Sequence, residues 1–406
     1  MPKKTVKTRV FPANGGLNTS AIPGTAPPSD LVYSDNIIFT INGSKKKKWG
    51  LNAYYNNGFD EGTLGNFRGM IDFWRNNAGV QERKFVCFVD GELYADSGNG
   101  VFSNVTGTTA LTASDQVTFD VFVGLLIAGF ESNGPQKWTQ AGNFQDLGGT
   151  PPPCSLWRVH DGRLWGSGNK AAPHRLYYSA ADNPEDWTLG GGAGSIDIEG
   201  GDSDPEGITA IFPSFYNELY VAKRKSIHKV KRYVSDDLSV IDFLVEPVIK
   251  GLGCVAHNSV VATQSDLIWA SESGIHSFQT TQNYGNVQGT FLSYPIHDIY
   301  NDEVNFSKTK NMWGVYVPEL NSYLLAYTKR GRSYNTEILG YNILLGKWFR
   351  WQNFDCSTLA QFIDSRGKTQ LLVGTNTSVD GPPNIGILDK DIVTDFDVSY
   401  PCTFTT

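Results

Sequence analysis

Paired cysteines, long apolar runs and closely spaced histidines are missing from this sequence of 406 residues. Its five cysteines stand far apart with no Cys-x-x-Cys pair, which argues against a disulfide framework or a zinc site and favours folding in a reducing cytoplasm. The longest apolar run, Val121 to Phe130, spans ten residues and is interrupted by two glycines. It is too short to cross a bilayer and predicts a buried strand. The start, Met1-Pro2-Lys3-Lys4, lacks the apolar segment of a secretory signal. We therefore expect no membrane insertion.

Recognisable catalytic and ligand-binding motifs are missing too. No two of the six histidines lie two or four residues apart, so their spacing predicts no metal site: His160, His174, His228, His257, His276 and His297. No Gly-x-Ser-x-Gly is present, and the glycine-rich stretch 190–194 is followed by neither a Gly-Lys-Ser/Thr nor an amphipathic helix. The sequence thus predicts no catalytic, cofactor-binding or metal-binding residue and no cofactor.

One acidic turn has a calcium-like pattern. Asp202-Ser203-Asp204-Pro205-Glu206-Gly207 places oxygen ligands at alternating positions before a glycine. The twelfth position of an EF-hand loop would fall on Pro213, which has no carboxylate, so that motif is rejected. An irregular calcium site stays open as an alternative to a plain acidic turn.

Strand formers and turn formers are abundant. Aromatic residues total 51, and glycine and proline together total 62, a composition typical of an all-β chain. A short phrase recurs, consisting of a polar turn, a leucine-led apolar run, small residues and a second apolar run, as in 90–94, 161–165, 217–220 and 265–269. Its anchors lie 32 to 57 residues apart: Leu93, Leu125, Leu164, Leu219, Leu267, Leu324 and Leu371. This spacing predicts a β-propeller of six or seven blades, because a four-stranded blade cannot bury both faces until its neighbours stack on it.

The two ends of the chain are expected to close the propeller. Residues 1–36 are rich in proline and glycine and predict an extended arm, and residues 37–406 predict the propeller itself. Within the propeller, 37–50 reads as a hairpin around Asn42-Gly43, in which both central residues of a type I′ turn would have positive φ. We expect this hairpin to complete the blade that the C-terminal segment begins. Residues 282–310 predict an inserted loop on one rim.

Positive charge is concentrated at the start of the chain. The net charge is −7, yet residues 1–50 hold eight Lys/Arg against two Asp, so the remainder carries −13. Two basic clusters, Lys45 to Lys48 and the Lys/Arg of 223–232, indicate either a lysine-protected sheet edge or a contact with nucleic acid. The arm could meet an acidic partner or nucleic acid, or form a solvated basic edge.

A group of aromatic residues between 157 and 187 also has two interpretations. Trp157, Trp165, Tyr177, Tyr178 and Trp187 could form a platform for sugar binding. Propeller blades fill their cores with the same residue types, so core packing is favoured. Paired carboxylates of a glycosidase, gathered from distant blades, stay open because the sequence cannot rank such pairs.

Two segments resemble a known family. The first comprises Gly15-Gly16-Leu17-Asn18-Thr19, Asp35-Asn36-Ile37-Ile38-Phe39 and Lys48-Trp49-Gly50, and the second runs from Pro152 through Val159-His160-Asp161-Gly162-Arg163-Leu164-Trp165, Arg175-Leu176-Tyr177-Tyr178-Ser179 and Asn183-Pro184-Glu185-Asp186-Trp187. Together they cover roughly 75 of the 406 residues. They are similar to propeller-type tail hub or nozzle proteins of short-tailed bacteriophages, also called tail stabilisation proteins.

The resemblance implies a structural virion protein with no enzymatic activity. Six copies would form a homo-oligomeric ring beneath the portal and adaptor proteins, narrow the channel through which DNA leaves, and anchor tail fibres or spikes. The protein would be located in the tail of the virion, after assembly in the host cytoplasm. The alternatives are a propeller glycoside hydrolase or lyase, and a lectin-like module that binds host surface polysaccharide.

Overall fold

The computed structural model describes residues 15–21, 27–55, 66–96, 100–198, 207–234, 241–263, 266–280, 287–364, 366–376 and 384–405. Four short strands precede the first complete blade: β1 Tyr33–Asp35, β2 Ile37–Phe39, β3 Lys45–Lys47 and β4 Gly50–Tyr55. All further sheets are built from antiparallel neighbours, apart from one parallel pairing near the C-terminus.

Seven four-stranded blades follow one another around a ring. Blade 1 contains β5 Phe67–Asn77, β6 Val80–Val89, β7 Glu92–Asp96 and β8 Phe102–Asn104; blade 2 contains β9 Val117–Phe122, β10 Leu125–Phe130, β11 Gln136–Trp138 and β12 Gln145–Asp146; blade 3 contains β13 Leu156–His160, β14 Arg163–Ser167, β15 Arg175–Tyr178 and β16 Gly194–Asp197. Blade 4 contains β17 Ala210–Ile211, β18 Leu219–Ala222, β19 Ser226–Val234 and β20 Ile241–Lys250; blade 5 contains β21 Val261–Ala262, β22 Leu267–Ala270, β23 Ile275–Thr280 and β24 Val287–Phe291; blade 6 contains β25 Trp313–Val317, β26 Ser322–Thr328, β27 Asn335–Asn342 and β28 Lys347–Gln352. Blade 7 contains β29 Thr358–Ile363, β30 Thr369–Gly374, β31 Ile385–Asp389 and the early strand β4.

Strand β4 closes the ring. It comes from the N-terminal part of the chain and pairs antiparallel with β31, so that Leu51 lies opposite Leu388 and Gly50 opposite Asp389. The predicted all-β propeller, closed by strands from both ends of the chain, is therefore confirmed, and its blade count is seven.

The predicted hairpin forms, but it is not the closing element. Strands β2 and β3 pair only with each other, and the strand that completes blade 7 begins just after them. Its turn also differs from the prediction, because Gly43 has φ +77° while Asn42 does not have positive φ. The Gly43 N–H donates to the Thr40 carbonyl at 2.8 Å, as in a type I turn followed by a left-handed glycine. Both central residues have positive φ in the Asp90-Gly91 turn of the repeat.

The C-terminal segment wraps around the outside of the closing strand. Strand β32 (Thr394–Asp395) runs parallel to β4 and is followed by β33 (Val398–Ser399). The last strand, β34 (Thr403–Thr405), pairs with β1. We call this set of terminal strands, residues 33–55 and 385–405, the clasp.

The described part of the N-terminal arm packs on the chain's own propeller. Leu17 is 2% exposed and its N–H donates to the Trp348 carbonyl on the outer strand of blade 6 at 2.8 Å. Leu31 is fully buried, and the Asn36 N–H donates to the Arg350 carbonyl at 2.9 Å. The arm thus covers a sheet edge that would otherwise be open. Residues 1–14 and 22–26 lie outside the described residues.

Residues 282–310, predicted as an inserted loop, contain regular structure. Val287–Phe291 is the outer strand of blade 5, and helix α1 (His297–Glu303) lies in the connection to blade 6. Short 3-10 helices make up most of the remaining helical structure: Leu189–Gly191, His257–Ser259, Tyr294–Ile296, Phe306–Asn311 and Pro318–Leu320. Among the described residues, no helix has the length and apolar character needed to cross a membrane.

One buried cluster lies between each pair of neighbouring blades. Phe73, Val86 and Leu126, for example, join blades 1 and 2, and equivalent clusters join the other six pairs around the ring. A blade alone would expose these faces to water, so stacking supplies the main apolar burial of the fold. Six of the seven leucine anchors lie on the second strand of their blade, and Leu93 lies on the third strand of blade 1.

Candidate functional site at the propeller axis

The first strands of the blades surround a cavity of about 510 Å³ at the axis of the propeller. Every blade contributes to its wall, through β5, β9, β13, β25 and β29 and through the segments around Pro213 and His257. This volume is in the range of small-molecule sites, about 300 to 1,000 Å³.

Part of the wall is aromatic and apolar. Phe119 and Trp313, both partly exposed, and Met70 line the cavity from blades 2, 6 and 1. Met70 also belongs to the cluster between blades 7 and 1, and Phe119 and Trp313 pack against the clusters between blades 1 and 2 and between blades 6 and 7. The aromatic rings give the cavity an apolar surface on which a ligand can pack.

A cation lies in the same wall. Arg158, on the first strand of blade 3, donates from Nε to the Ile211 carbonyl at 3.4 Å. Burial lowers the pKa of Arg158, and the negative charge of Asp120 opposes that change. In the part of the chain that the structure describes, no carboxylate lies within ion-pair distance of its guanidinium.

Asp120 is held by backbone groups. Its two carboxylate oxygens accept from the Val121 N–H and from the Val159 N–H, each at 2.8 Å. Burial raises the pKa of Asp120, and Arg158 and these N–H donors oppose the rise. Asp120 therefore supports the charge of Arg158 from a distance while its hydrogen-bonding capacity is used to join blades 2 and 3.

His257 lines both this cavity and a neighbouring one, described below, that we call its mouth. Its side chain is 6% exposed, and its Nδ1 accepts from the Ile211 N–H at 3.2 Å, so the remaining proton is on Nε2. Nε2 has no hydrogen-bond partner. Burial lowers the pKa of His257 well below its usual value, and the positive charge of Arg158 lowers it further. A buried imidazole N–H and a guanidinium without a contact carboxylate thus lie next to each other.

The mouth is a second cavity of about 390 Å³, on the side of blades 2 to 5. Glu131 lies there between two lysines, with its Oε1 2.6 Å from Lys310 Nζ and 3.8 Å from Lys170 Nζ. Both lysines are largely exposed, at 70% and 75% of their side chains. Such exposed pairs contribute little to stability. Two lysines against one glutamate leave an excess of positive charge at the mouth.

The first basic cluster holds the end of the chain. Lys48 is 1% exposed and its Nζ lies 2.6 Å from Asp395 Oδ2, while Lys45 Nζ lies 4.0 Å from the centre of the Phe404 ring and Lys47 Nζ 4.2 Å from that of Tyr400. Three of the four lysines thus contact the C-terminal segment. These contacts favour the interpretation of the cluster as a protected sheet edge over a contact with nucleic acid.

The second basic cluster is matched by carboxylates. Lys229 lies 2.6 Å from Glu218, Lys231 2.6 Å from Glu246, and Arg224 2.9 Å from Glu272. These pairs lie within blade 4 or join it to blade 5. They reduce the positive potential that a contact with nucleic acid would need.

The histidines named from the sequence are spread over blades 3 to 5 and helix α1, and among the described residues no three His, Cys, Asp or Glu groups are close enough to hold a metal ion. The acidic turn 202–206 lies outside the described residues. Trp157 and Trp165 are fully buried, so they belong to the core and not to an exposed sugar platform.

The sequence predicts no role for His257 and none for Arg158, although Arg158 lies within the second resembling segment. The signal for Arg158 was present, since it is the one charge inside the strand-like run Ser155-Leu156-Trp157-Arg158-Val159. Only the ring geometry shows that this strand faces the axis.

Comparison with known proteins assigns no function to this chain. No protein-family model matches the chain, and no curated protein matches its sequence. Among solved structures, it is similar to a streptogramin B lyase (TM-score 0.49, 12% identity, covering 84% of this chain and 98% of that one). It is also similar to virginiamycin B lyase from Staphylococcus aureus (TM-score 0.49, 10% identity, covering 84% and 99%). A third similar structure is the extracellular domain of a putative hybrid two component system from B. thetaiotaomicron (TM-score 0.49, 10% identity, covering 84% and 40%). At this level of similarity, none of them bears on what this chain binds or does.

Proposed function

We propose that this protein is a structural component of the tail of a short-tailed bacteriophage, a hub or nozzle subunit that assembles as a homo-oligomeric ring, with six copies the expected number. In this role it contacts the portal and adaptor proteins on one side and tail fibres or spikes on the other. The proposal comes from the sequence resemblance, and it gains support from where the resembling residues lie in the fold.

The first resembling segment lies at points of close backbone approach. A Cβ atom on Gly15 would lie 2.3 Å from Asp30 Oδ1, and one on Gly16 would lie 3.0 Å from the Trp348 nitrogen. Leu17 is buried next to them, and Asn18 Nδ2 donates to Asp30 Oδ2 at 2.8 Å. This segment forms the contact between the arm and blade 6. The small glycines and the buried leucine are the residue types that this close contact requires.

The second resembling segment is blade 3. Arg163, 6% exposed, donates from Nη1 to the Ser179 carbonyl at 2.6 Å and to the Gly192 carbonyl at 2.7 Å. The Ser179 hydroxyl in turn accepts from the Leu164 N–H at 3.0 Å. Residues of the resembling segment thus make the hydrogen bonds that hold blade 3 together, and this observation carries the proposal.

The proposal places the DNA channel between copies. The axial cavity, about 510 Å³, is of ligand size. Duplex DNA, with a major groove alone about 12 Å wide, cannot pass through it. A conduit for DNA therefore requires a ring of several propellers around a common opening, which agrees with cyclic assembly.

The glycosidase alternative gains no support from the axial cavity. It requires two carboxylates about 5 to 10 Å apart. Among the described residues that line the cavity, Asp72 is the single carboxylate, and both its oxygens accept from Arg83, at 2.6 and 2.9 Å.

Electron microscopy of the purified chain, mixed with the portal and adaptor proteins encoded in the same genome, tests the proposal. We expect rings of this chain stacked on the portal. Monomers that leave the portal bare and cleave host polysaccharide would replace the proposal with the hydrolase alternative.

A truncation sharpens the same experiment. Residues 15–21 and 27–36 have contacts within the propeller. We therefore apply the hypothesis that the basic arm docks on a neighbouring copy or on the adaptor to residues 1–14, which carry Lys3, Lys4, Lys7 and Arg9. We expect deletion of 1–14 to leave the monomer folded and to weaken ring assembly. Unimpaired assembly of the truncated chain would show that the arm does not contribute to the ring. The ring itself is tested separately, by electron microscopy of the full chain.

A further inference from the structure

We propose that the axial cavity is a binding site for a small organic carboxylate with an apolar body, held by Arg158 at its charged end and by Phe119 and Trp313 at its apolar end. The proposal is independent of the tail role, because it concerns a site within one propeller.

The charged end follows from Arg158. Its guanidinium lines the cavity, and its nearest carboxylate, Asp120, spends its oxygens on backbone N–H groups. Arg158 is partly exposed, and a carboxylate matches the planar fork of a guanidinium with two parallel hydrogen bonds. An anion of that shape is the partner that this wall lacks among the described residues.

His257 is a second, independent observation at the same place. The residue is 6% exposed, and its Nε2–H has no acceptor. A buried donor without an acceptor is costly, because it has lost its hydrogen bonds to water without replacing them. A bound carboxylate would give it an acceptor after a small shift of the ring, which is seated only by its Nδ1 bond to the Ile211 N–H. Asn258, partly exposed in the same wall, offers a further donor.

The apolar end follows from side chains that other blades contribute to the cavity wall. Phe119, Trp313 and Met70 face the same space as Arg158. An inorganic anion would leave these surfaces in contact with water, whereas an aromatic or branched aliphatic body would cover them. The cavity volume of about 510 Å³ is sufficient for such a ligand.

Binding of benzoate to the full chain, followed by ligand-observed NMR or calorimetry, tests the site. Benzamide keeps the ring and removes the charge, and acetate keeps the charge and removes the ring. We expect each to bind at least about tenfold more weakly than benzoate, because each loses one of the two ends of the site. Benzamide or acetate binding as tightly as benzoate, or the absence of saturable benzoate binding up to about 10 mM, would overturn the proposal.

Two variants locate the binding. Arg158→Met keeps an unbranched apolar stem but removes the guanidinium, and it is expected to weaken benzoate binding by about ten- to hundredfold. Lys170→Met removes a cation from the mouth and is expected to leave the affinity within about twofold, because that lysine is exposed and screened. An equal loss in both variants would mean diffuse attraction by positive charge and would overturn the site. If Arg158→Met does not fold, the comparison of the three ligands on the unchanged chain decides.

Discussion

The ammonium of Lys48 lies 2.6 Å from a carboxylate oxygen of Asp395, and the two residues are 347 positions apart in the chain. The Lys48 side chain is 1% exposed, and its Nζ also lies 3.6 Å from the centre of the Tyr400 ring. Asp395 in turn accepts from the Leu51 N–H at 3.2 Å. One ion pair thus joins the entry to the closing strand with the C-terminal segment that covers it.

We expect this pair to be costly to break and nearly neutral to replace. Lys48→Met leaves Asp395 largely buried without its cation, and Asp395→Asn leaves the ammonium without its anion; each is expected to lower the free energy of unfolding by about 3 kcal/mol. The double variant removes both charges and is expected to recover most of that loss, because the desolvation cost of the ions disappears as well. Urea unfolding of the four proteins gives the coupling energy. Additive losses in the double variant would show that the two charges do not act as a pair.

Acid is expected to destabilise the propeller through His276. Its ring stacks on Phe291 with centroids 4.9 Å apart, and burial lowers its pKa to about 4. The unfolded chain takes up this proton near the ordinary histidine pKa of about 6.5, so the free energy of unfolding falls as the pH drops from about 6.5 to about 4. His276→Phe cannot take up the proton. We expect it to lose roughly 2 to 3 kcal/mol less than the unchanged chain between pH 7.5 and pH 4.5, measured by urea unfolding at both pH values.

Asp266, in the same blade, provides a control of opposite sign. Burial raises the pKa of Asp266 to about 6. The folded chain therefore takes up this proton before the unfolded chain does, and the free energy of unfolding gains as the pH falls from about 6 to about 4. Asp266→Asn loses that gain, so we expect it to be more sensitive to acid than the unchanged chain. If the variants of His276 and Asp266 shift acid sensitivity in the same direction, the opposite pKa shifts of these two residues are contradicted.

Packing between blades is expected to depend on one glycine. A Cβ atom on Gly129 of blade 2 would lie 1.7 Å from Trp157 Cδ1, and that tryptophan is fully buried in blade 3. Gly129→Ala must displace the indole, so we expect a loss of about 2 to 3 kcal/mol in the free energy of unfolding. A Cβ atom on Gly134, in the same blade, would meet nothing within 4 Å beyond its own chain neighbours. Gly134→Ala is expected to be neutral or slightly stabilising. Equal effects of the two substitutions, read from urea midpoints, would show that the inter-blade contact is not close packed.

The repeat is visible in the sequence because six of the seven blades have a leucine at the anchor position of their second strand. Leu164 and Leu219 occupy equivalent positions, while Leu93 is one strand out of phase. The period therefore predicted the propeller even though individual intervals varied. The number of blades was settled by the ring, since the last blade borrows β4 from the other end of the chain.

Contacts between residues that are far apart in the chain could not be predicted from the sequence. Four consecutive lysines look alike in sequence, yet Lys48 is buried on Asp395 while Lys46 is exposed. Arg158 likewise became part of a candidate site only when its strand was placed at the axis. Local patterns fix turns and faces, whereas partners hundreds of residues apart are set by how the ring closes.

Cys402 is expected to report the opening of the clasp. It lies between β33 and β34 and is partly exposed, whereas the other four cysteines are buried. Burial raises the pKa of all five thiols, so their exposure distinguishes them. Because the thiolate is the reactive form, a disulfide reagent should modify Cys402 first in the native protein, and Cys402→Ser should remove that fast phase. Lys48→Met, by loosening the C-terminal segment, is expected to accelerate the reaction of Cys402 and leave the slow phases of the buried thiols nearly unchanged. If Lys48→Met instead accelerates all five cysteines equally, the ion pair stabilises the whole propeller and not the clasp, because only global unfolding exposes the buried thiols together.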